Sequence, residues 1–178
     1  MSNASVLKQQ PSSSAGTASA ATVDRGAIEN FLYREARFAD ESRYNEWLGL
    51  WTEDLVYWVP VNSDDYDPRH HLSIIYDNRE RLQDRIDRLN SNAAWAQQPR
   101  SRMRRIVSNV EIEPAAADGD ITVYSNFVLG ELRRNRETSY YAGQVHRLRQ
   151  TPDGLKMSYK KIMLVKNNEP IHNLTFIL

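Results

Sequence analysis

Four histidines are the residues of this sequence best suited to acid–base or metal chemistry: His70, His71, His146 and His172. His70 and His71 closely follow Asp67, and two histidines with one carboxylate form a common site for non-haem iron. Adjacent residues of an extended segment point to opposite sides, however, so these three side chains converge poorly. We therefore interpret this segment as a solvated loop and assign no metal ligand.

His146 lies in GQVHRLR, a segment with the alternation of a β-strand, which places it on one face with Gln144 and Leu148. Inside a cone-shaped pocket, His146 together with Tyr124 or Asp54 could form an acid–base pair. The competing interpretation is a hydrogen-bonded histidine within a sheet, and it is the one we favour.

Several chemistries are excluded by residues that the sequence lacks. It contains no cysteine, which excludes disulfides, thiolate zinc sites, a catalytic thiol and an iron–sulfur cluster held by this chain alone. There is no HExxH, GxSxG or phosphate-cradling glycine loop. The 23 basic and 23 acidic side chains balance, so net charge gives no general reason to bind nucleic acid or an acidic membrane. No membrane-span-length apolar run or secretory signal core occurs, and we expect a cytoplasmic protein.

Arginines concentrate in two segments, which contain Arg79, Arg81, Arg85 and Arg88, and then Arg100, Arg102, Arg104 and Arg105. Three interpretations remain open for them: nucleic-acid contacts, a solvated helix face, and contacts between subunits. The balanced charge and the interleaved Asp84 and Asp87 argue against nucleic acid.

The segment EWLGLWTEDLVYWVPV carries three of the four tryptophans. Trp47 and Trp51 are one helical turn apart and should share a face. Tyr57 and Trp58 are neighbours on a strand, so one should enter the core while the other points outward as a possible contact anchor. Core or interface is favoured over a ligand cage, because no convergent polar group lies among these rings.

The spacing of apolar residues predicts the helices and strands that position these side chains. Residues 1–24 are rich in Ser, Ala and Thr and are expected to be a disordered tail, with one domain over residues 25–178. Apolar residues at helical spacing predict helices over Ala27–Ala39, over Ser42–Leu50 with Ser42 as N-cap, and after Asp77, which has capping-box spacing to Glu80. DLVYWVPV predicts a strand that ends at an edge or bend.

Beyond residue 102 the period becomes two. The segments MRRIVSNVEIE, ITVYSNFVLGEL, YYAGQVHRLRQ and LKMSYKKIMLV predict four strands of an antiparallel meander, with Ile106, Val110 and Ile112 on one face of the first. AADGD, RRNRET and TPDG supply the turns. HNLTFIL is expected to add a short strand or to dock against a partner. Helices followed by a long sheet indicate the α+β class.

Several separated segments resemble the small (beta) subunits of Rieske-type aromatic-ring-hydroxylating dioxygenases. They are FLYREARFADESRYNEWLGLWTEDLVYWVPV, LSIIYDNRERLQDRIDRL, RMRRIVSNVEI and HNLTFIL, which occur in the family's order from about Ala27 to Leu178. The pattern is most similar to members that act on aromatic acids such as benzoate.

This resemblance implies a cystatin-like (NTF2-like) α+β cone, with N-terminal helices packed on a long curved antiparallel sheet. It implies a β3 trimer that supports three alpha subunits in an α3β3 hexamer. The Rieske [2Fe–2S] cluster and the mononuclear iron are expected in the alpha subunit, which cis-dihydroxylates the aromatic ring with electrons delivered by a reductase, sometimes through a ferredoxin. No catalytic, cofactor or metal residue is therefore expected in this chain.

Three functions remain to be compared. The first is this non-catalytic structural subunit. The second is a stand-alone acid–base enzyme, an isomerase or dehydratase, built around His146, and the third is a small-ligand binding module in the same cone. For the first, the expected subunit-contact residues are Tyr57, Trp58, Arg79, Arg102, Arg104, Arg105 and Phe176. Reversing the charges of Arg104 and Arg105 together is expected to weaken assembly more than folding.

Overall fold

The computed structural model describes residues 24–62, 66–91, 99–116, 118–169 and 174–178. Within these ranges it contains three helices, α1 Arg25–Asp40, α2 Tyr44–Leu48 and α3 Arg79–Asn90. Its strands are β1 Trp51–Pro60, β2 Ser73–Asp77, β3 Arg102–Ile112, β4 Ile121–Arg133, β5 Arg136–Thr151 and β6 Gly154–Leu164. The expected disordered tail over residues 1–23, part of the loop after α3 and His172 lie outside the described residues.

The strands form one sheet in the order β2-β1-β6-β5-β4-β3. The predicted meander of β3 to β6 is confirmed, and every neighbouring pair within it is antiparallel. β1 ends at Pro60, where its pairing with β2 shifts register, in agreement with the predicted bend at the end of this strand. It lies inside the sheet, parallel to β6 and antiparallel to β2. The sheet is therefore mixed rather than wholly antiparallel, because β1 returns beside the last strand of the meander.

Helix boundaries differ from the expected ones at three caps. Asp24, expected in the disordered tail, is the N-cap of α1, and its Oδ1 accepts a hydrogen bond from the Gly26 N–H at 2.9 Å. Ser42 does not cap α2, since it lies at φ 56° in the turn that ends α1 and its N–H bonds to the Ala39 carbonyl. Asn78, rather than Asp77, caps α3 by accepting from the Arg81 N–H at 3.1 Å.

A bulge in β3 changes which of its side chains face the helices. Asn109 has φ 54°, and the pairing with β4 shifts between Ser108 and Glu111. This extra residue reverses the alternation, so Val110 faces the core while Ile106 is 70% exposed on the outer face. The expectation that Ile106, Val110 and Ile112 share a face is therefore wrong.

The hairpin turns lie where the sequence predicts them. Arg134 and Asn135 join β4 to β5 with φ of 48° and 61°, the pair of positive values typical of a type I′ turn. Gly154 begins β6 at φ 101°, where any side chain would be strained. The helices pack against the sheet, and α1 lies against β3.

Candidate functional site

A buried polar cluster lies between the helices and the inner face of the sheet. Its members come from separate elements: Glu35 from α1, Trp47 from α2, His146 from β5 and Lys160 from β6. All four side chains are buried, and Lys160 and His146 have no exposed surface.

Glu35 is the centre of the cluster. Its Oε1 accepts hydrogen bonds from Lys160 Nζ at 2.7 Å and from the indole Nε1 of Trp47 at 2.5 Å. Burial is the largest single effect and raises the pKa of Glu35, but the nearby cationic groups, Lys160 first, together outweigh burial and hold that pKa below its ordinary value. Burial lowers the pKa of Lys160, and the Glu35 carboxylate offsets part of that decrease. The pair is a closed buried ion pair rather than an acid and base awaiting a substrate.

The last described residues occupy the remaining space. Phe176, Ile177 and Leu178 are buried inside their own chain, and Phe176 packs edge-to-face on Tyr140 at 5.7 Å. Lys160 Nζ donates to the Leu178 main-chain oxygen at 2.9 Å. The segment HNLTFIL was expected to add a short strand or to dock against a partner. Its residues Phe176, Ile177 and Leu178 pack instead within their own chain.

Two further donors hold this segment. The Tyr57 hydroxyl donates to the Leu178 oxygen at 3.3 Å, and Arg105 Nη2 donates to the Ile177 oxygen at 2.9 Å. Arg105 also binds Asp40 through its Nε at 2.7 Å. Burial raises the pKa of Tyr57 above its ordinary range, which keeps this hydroxyl a neutral donor.

The His146 constellation needed for acid–base catalysis is not assembled. His146 does share the inner face with Gln144 and Leu148, as predicted. Tyr124 pairs with Val145, the neighbour of His146, and so projects from the opposite face of the sheet.

The electrostatics of His146 also disfavour catalysis. Burial and the positive charge of Lys160 lower the pKa of His146 to about 3, far from the pH at which a general base is effective. Neither ring nitrogen has a hydrogen-bond partner among the described residues, contrary to the favoured hydrogen-bonded interpretation. Asp54 lies elsewhere, bound to Arg149 Nη1 at 2.9 Å.

The tryptophan-rich segment is core. The rings of Trp47, Trp51 and Tyr57 meet edge-to-face, with centroids 5.3 to 5.9 Å apart. Trp51 contacts Trp47 as expected, although it belongs to β1 rather than to a helix. Trp58 points to the outer face, but Tyr66 and Lys161 cover it. The ring centroids of Trp58 and Tyr66 are 5.5 Å apart, and Lys161 Nζ lies 4.4 Å from the centroid of the Trp58 ring.

The expected contact residues divide into two groups. Tyr57, Trp58, Arg105 and Phe176 are buried within the chain, so their bulk stabilises this fold and does not form a free contact surface. The other three are Arg79, Arg102 and Arg104, which retain solvent-accessible side chains. Arg102 and Arg104 border an open groove of about 720 Å³ between the end of α1 and the starts of β3 and β5. These three remain predictions.

The local histidine group is engaged by other partners. Asp67 forms an ion pair with Arg69 at 2.6 Å, and the ring of His71 packs on Tyr66. In the part of the chain that the structure describes, no three His, Cys, Asp or Glu side chains are arranged to hold a metal. No described helix is long and apolar enough to cross a membrane.

Sequence reasoning missed Glu35 and Lys160, although a signal was present. Glu35 follows Phe31 and Leu32 at helical spacing, on the apolar face of α1. Lys160 alternates with Ser158 and Ile162, both buried on the inner face of β6. Two opposite charges, each at a position of its own helix or strand where the periodicity calls for an apolar side chain, indicate a buried ion pair.

Comparison with known proteins places this architecture. A family model described as "Ring hydroxylating beta subunit" matches residues 34–169. The small oxygenase component of the p-cumate 2,3-dioxygenase system of Pseudomonas putida is 36% identical over 152 residues, covering 82% of this chain and 81% of that protein. The crystal structure of the beta subunit of benzoate 1,2-dioxygenase from Burkholderia mallei is 29% identical, with a TM-score of 0.72 over 88% of this chain and 99% of that one.

A protein described by its fold alone shares this architecture. An NTF2-like protein with a cystatin-like fold from Novosphingobium aromaticivorans superimposes with a TM-score of 0.55, covering 82% of this chain and 84% of that one at 18% identity. The cystatin-like α+β class predicted from the sequence is therefore confirmed, with the parallel contact of β1 and β6 as a correction to the sheet.

Proposed function

This chain belongs to the ring hydroxylating beta subunit family, and from that membership we propose that it is the non-catalytic structural subunit of a terminal oxygenase. One observation carries the non-catalytic part: the interior that would hold a substrate is filled by Phe176, Ile177 and Leu178. Lys160, Tyr57 and Arg105 hold this segment, and Glu35 is paired with Lys160. A binding site needs a concave space with convergent polar groups that are free to meet a ligand.

The proposed partner is the large alpha subunit, which would carry the Rieske cluster and the mononuclear iron. A Rieske centre needs two cysteine thiolates and two histidines, and the 178 residues of this chain contain no cysteine. The residues of this chain do not fit that cluster, and no step of the reaction is assigned to them. Their role is to present a stable surface to the subunit that performs the chemistry.

The proposed assembly is an α3β3 hexamer with a trimer of this chain at its base. A reductase, with or without a ferredoxin, would pass electrons from NAD(P)H to the alpha subunit. We place the complex in the cytoplasm, where NAD(P)H is available. A chain whose residues Phe176, Ile177 and Leu178 are buried in its own interior is well suited to such a scaffold.

The proposed reaction of the whole complex is the cis-dihydroxylation of an aromatic acid during catabolism. The names of the relatives described above, which refer to p-cumate and benzoate, support an acid over a hydrocarbon.

The decisive experiment is affinity purification of the tagged chain from its native host, with the mass and visible spectrum of the co-eluting material. We expect a larger partner in equal amount and the absorbance of a Rieske cluster. A colourless chain that elutes without a larger partner would overturn the structural role and make His146 the first residue to mutate.

The substrate class is tested on the same purified complex. With a reductase and NADH, oxygen uptake is measured with benzoate, p-cumate and benzene as separate substrates. Uptake with either carboxylate and a cis-dihydrodiol product supports the aromatic-acid assignment. Uptake with benzene alone would contradict it without affecting the structural role.

A further inference from the structure

The docked segment, residues 176–178, shares a hydrogen-bond donor with the end of α1. Arg105 Nη2 donates to the Ile177 oxygen at 2.9 Å, while Arg105 Nε binds the Asp40 carboxylate at 2.7 Å. The main-chain N–H of Arg105 also donates to Asp40, at 2.8 Å. Asp40 is the last residue of α1. Arg105 therefore connects β3, the end of α1 and the docked segment.

Lys160 makes the same kind of connection from β6. Its Nζ donates to the Leu178 oxygen at 2.9 Å and to Glu35 Oε1 at 2.7 Å. Glu35, like Asp40, belongs to α1. Hydrogen bonds of a buried network strengthen one another, so the loss of one acceptor weakens those that remain. Loss of the docked segment should therefore weaken the attachment of α1 to the sheet.

The docked segment also supports the open groove at the end of α1. Two carboxylates that line this groove are Asp40 and Glu131. Asp40 is bound by Arg105, which holds the Ile177 oxygen. Glu131 accepts from the Tyr140 hydroxyl at 3.2 Å, and the Tyr140 ring packs on Phe176. A single side chain thus separates each carboxylate from the docked segment.

The docked segment is separate from the ladders of the sheet. It belongs to no helix or strand, and the meander of β3 to β6 is held by its own strand pairing. The start of α1 has another attachment, since Arg25 Nη2 donates to the Val110 oxygen at 3.0 Å. Proteins open in cooperative units of this kind, at free energies below that of complete unfolding.

We propose that the docked segment acts as a strap that fixes the end of α1 on the sheet and forms the groove, so that these three parts open together while the meander stays folded. A partner that binds the groove then stabilises the docked segment. By linkage, docking raises the affinity of the groove for that partner by the same factor. The inference concerns the isolated chain and does not depend on the proposed function.

Thiol labelling of the full-length chain measures the opening. The chain contains no cysteine, so Ile177→Cys introduces a single thiol, buried when the segment is docked, whose reaction with N-ethylmaleimide reports undocking. Asp40→Asn in this background removes the charge partner of Arg105. We expect it to raise the labelling rate about tenfold. Asp84→Asn, at an exposed position of α3, is the matched control and should leave the rate unchanged.

Urea separates local opening from complete unfolding, because the dependence on urea scales with the surface that is exposed. We expect the labelling rate of Ile177→Cys to rise less steeply with urea than global unfolding does. An equal slope would show that the segment leaves only when the whole chain unfolds, and the proposal would be wrong. An unchanged labelling rate in Asp40→Asn would also overturn it.

Hydrogen exchange tests the coupling in the opposite direction. The Arg105 N–H reports the attachment of α1, since it donates to Asp40. In full-length Phe176→Ala we expect its exchange to accelerate at least about tenfold more than that of amides in the ladder between β4 and β5. Leu82→Ala, which truncates a buried side chain of α3, is the control and should produce no such difference.

Equal acceleration at Arg105 and in the meander would mean that Phe176 supports the whole fold rather than this unit. No acceleration at Arg105 would mean that α1 is held independently of the docked segment. Either result overturns the proposal. Phe176→Leu, a smaller truncation, takes the place of Phe176→Ala if the latter does not fold.

Discussion

Lys160 and Glu35 lie 125 residues apart in the chain, yet Lys160 Nζ and Glu35 Oε1 are 2.7 Å apart and neither side chain reaches solvent appreciably. This contact joins β6 to α1, the last strand to the first helix. The same ammonium holds the Leu178 oxygen, so one buried cation connects the sheet, a helix and the docked segment.

Removing one partner of this ion pair should destabilise the fold more than replacing both partners with neutral side chains. Lys160→Met leaves the Glu35 carboxylate buried without a cation, and we expect the free energy of unfolding to fall by about 3–5 kcal/mol. The double variant Lys160→Met with Glu35→Gln should recover most of that loss, because the Gln amide oxygen still accepts from Trp47. Urea unfolding of both variants measures the difference, and a single variant as stable as the double one would contradict it.

His146 should make the fold sensitive to acid. Its pKa is about 3 in the folded chain and 6.5 ordinarily, so below pH 6.5 the unfolded chain binds a proton that the folded chain does not. The stability that depends on neutral His146 is complete above pH 6.5 and is lost as the pH falls toward 3. Between pH 6.5 and 4.5 this loss is about 2–3 kcal/mol.

The measurement compares wild type with His146→Leu in urea unfolding at several pH values over that range. We expect a shallower pH dependence in the variant, by close to one proton. His70→Gln, which removes an imidazole from an exposed position, is the control. Parallel curves for wild type and His146→Leu would show that His146 is solvated in the native state. Below pH 4.5, the lowered pKa of Glu35 adds a loss of the same sign.

The docked segment should contribute to the stability of the isolated chain. Phe176→Ala removes a buried ring that packs on Tyr140, and we expect a cost of about 3–5 kcal/mol. Leu72→Ala, at a position 86% exposed, should change stability by less than about 0.5 kcal/mol. If Phe176→Ala left the isolated chain unchanged and weakened only its complex with the alpha subunit, the segment would dock on the partner instead.

Local periodicity predicted the meander because β3 to β6 follow one another along the chain and are joined by short turns such as Arg134-Asn135. The parallel contact of β1 with β6 could not be predicted in this way, since it joins segments about one hundred residues apart. The Asn109 bulge escaped prediction for a different reason. One extra residue in a strand gives no clear signal in the sequence, but it moves every later side chain of that strand to the opposite face of the sheet.

The site was predicted less well than the fold. Residue type suggested that Tyr57, Trp58 and Phe176 contact a partner, because large rings serve equally in cores and at interfaces. Only the packing distinguishes the two, and it places these three inside the chain. The neighbouring positions of Ile106, Val128 and Tyr141 on the outer face could not be predicted for a related reason: they come from different strands, and only their register makes them neighbours.

Arg104 and Arg105 provide the sharpest separation of folding from assembly, because they are adjacent on β3 and point to opposite faces. The expectation that reversing both would chiefly affect assembly is revised, since Arg105 has only 2% side-chain exposure and binds Asp40. Arg105→Met should lower the free energy of unfolding by about 3–5 kcal/mol, because it strands that carboxylate. Arg104→Met, on the outer face, should change it by less than about 0.5 kcal/mol while weakening the assembly of subunits. Thermal unfolding and sedimentation velocity on both variants check this split, and equal effects on stability would mean that the two side chains do not face opposite sides of the sheet.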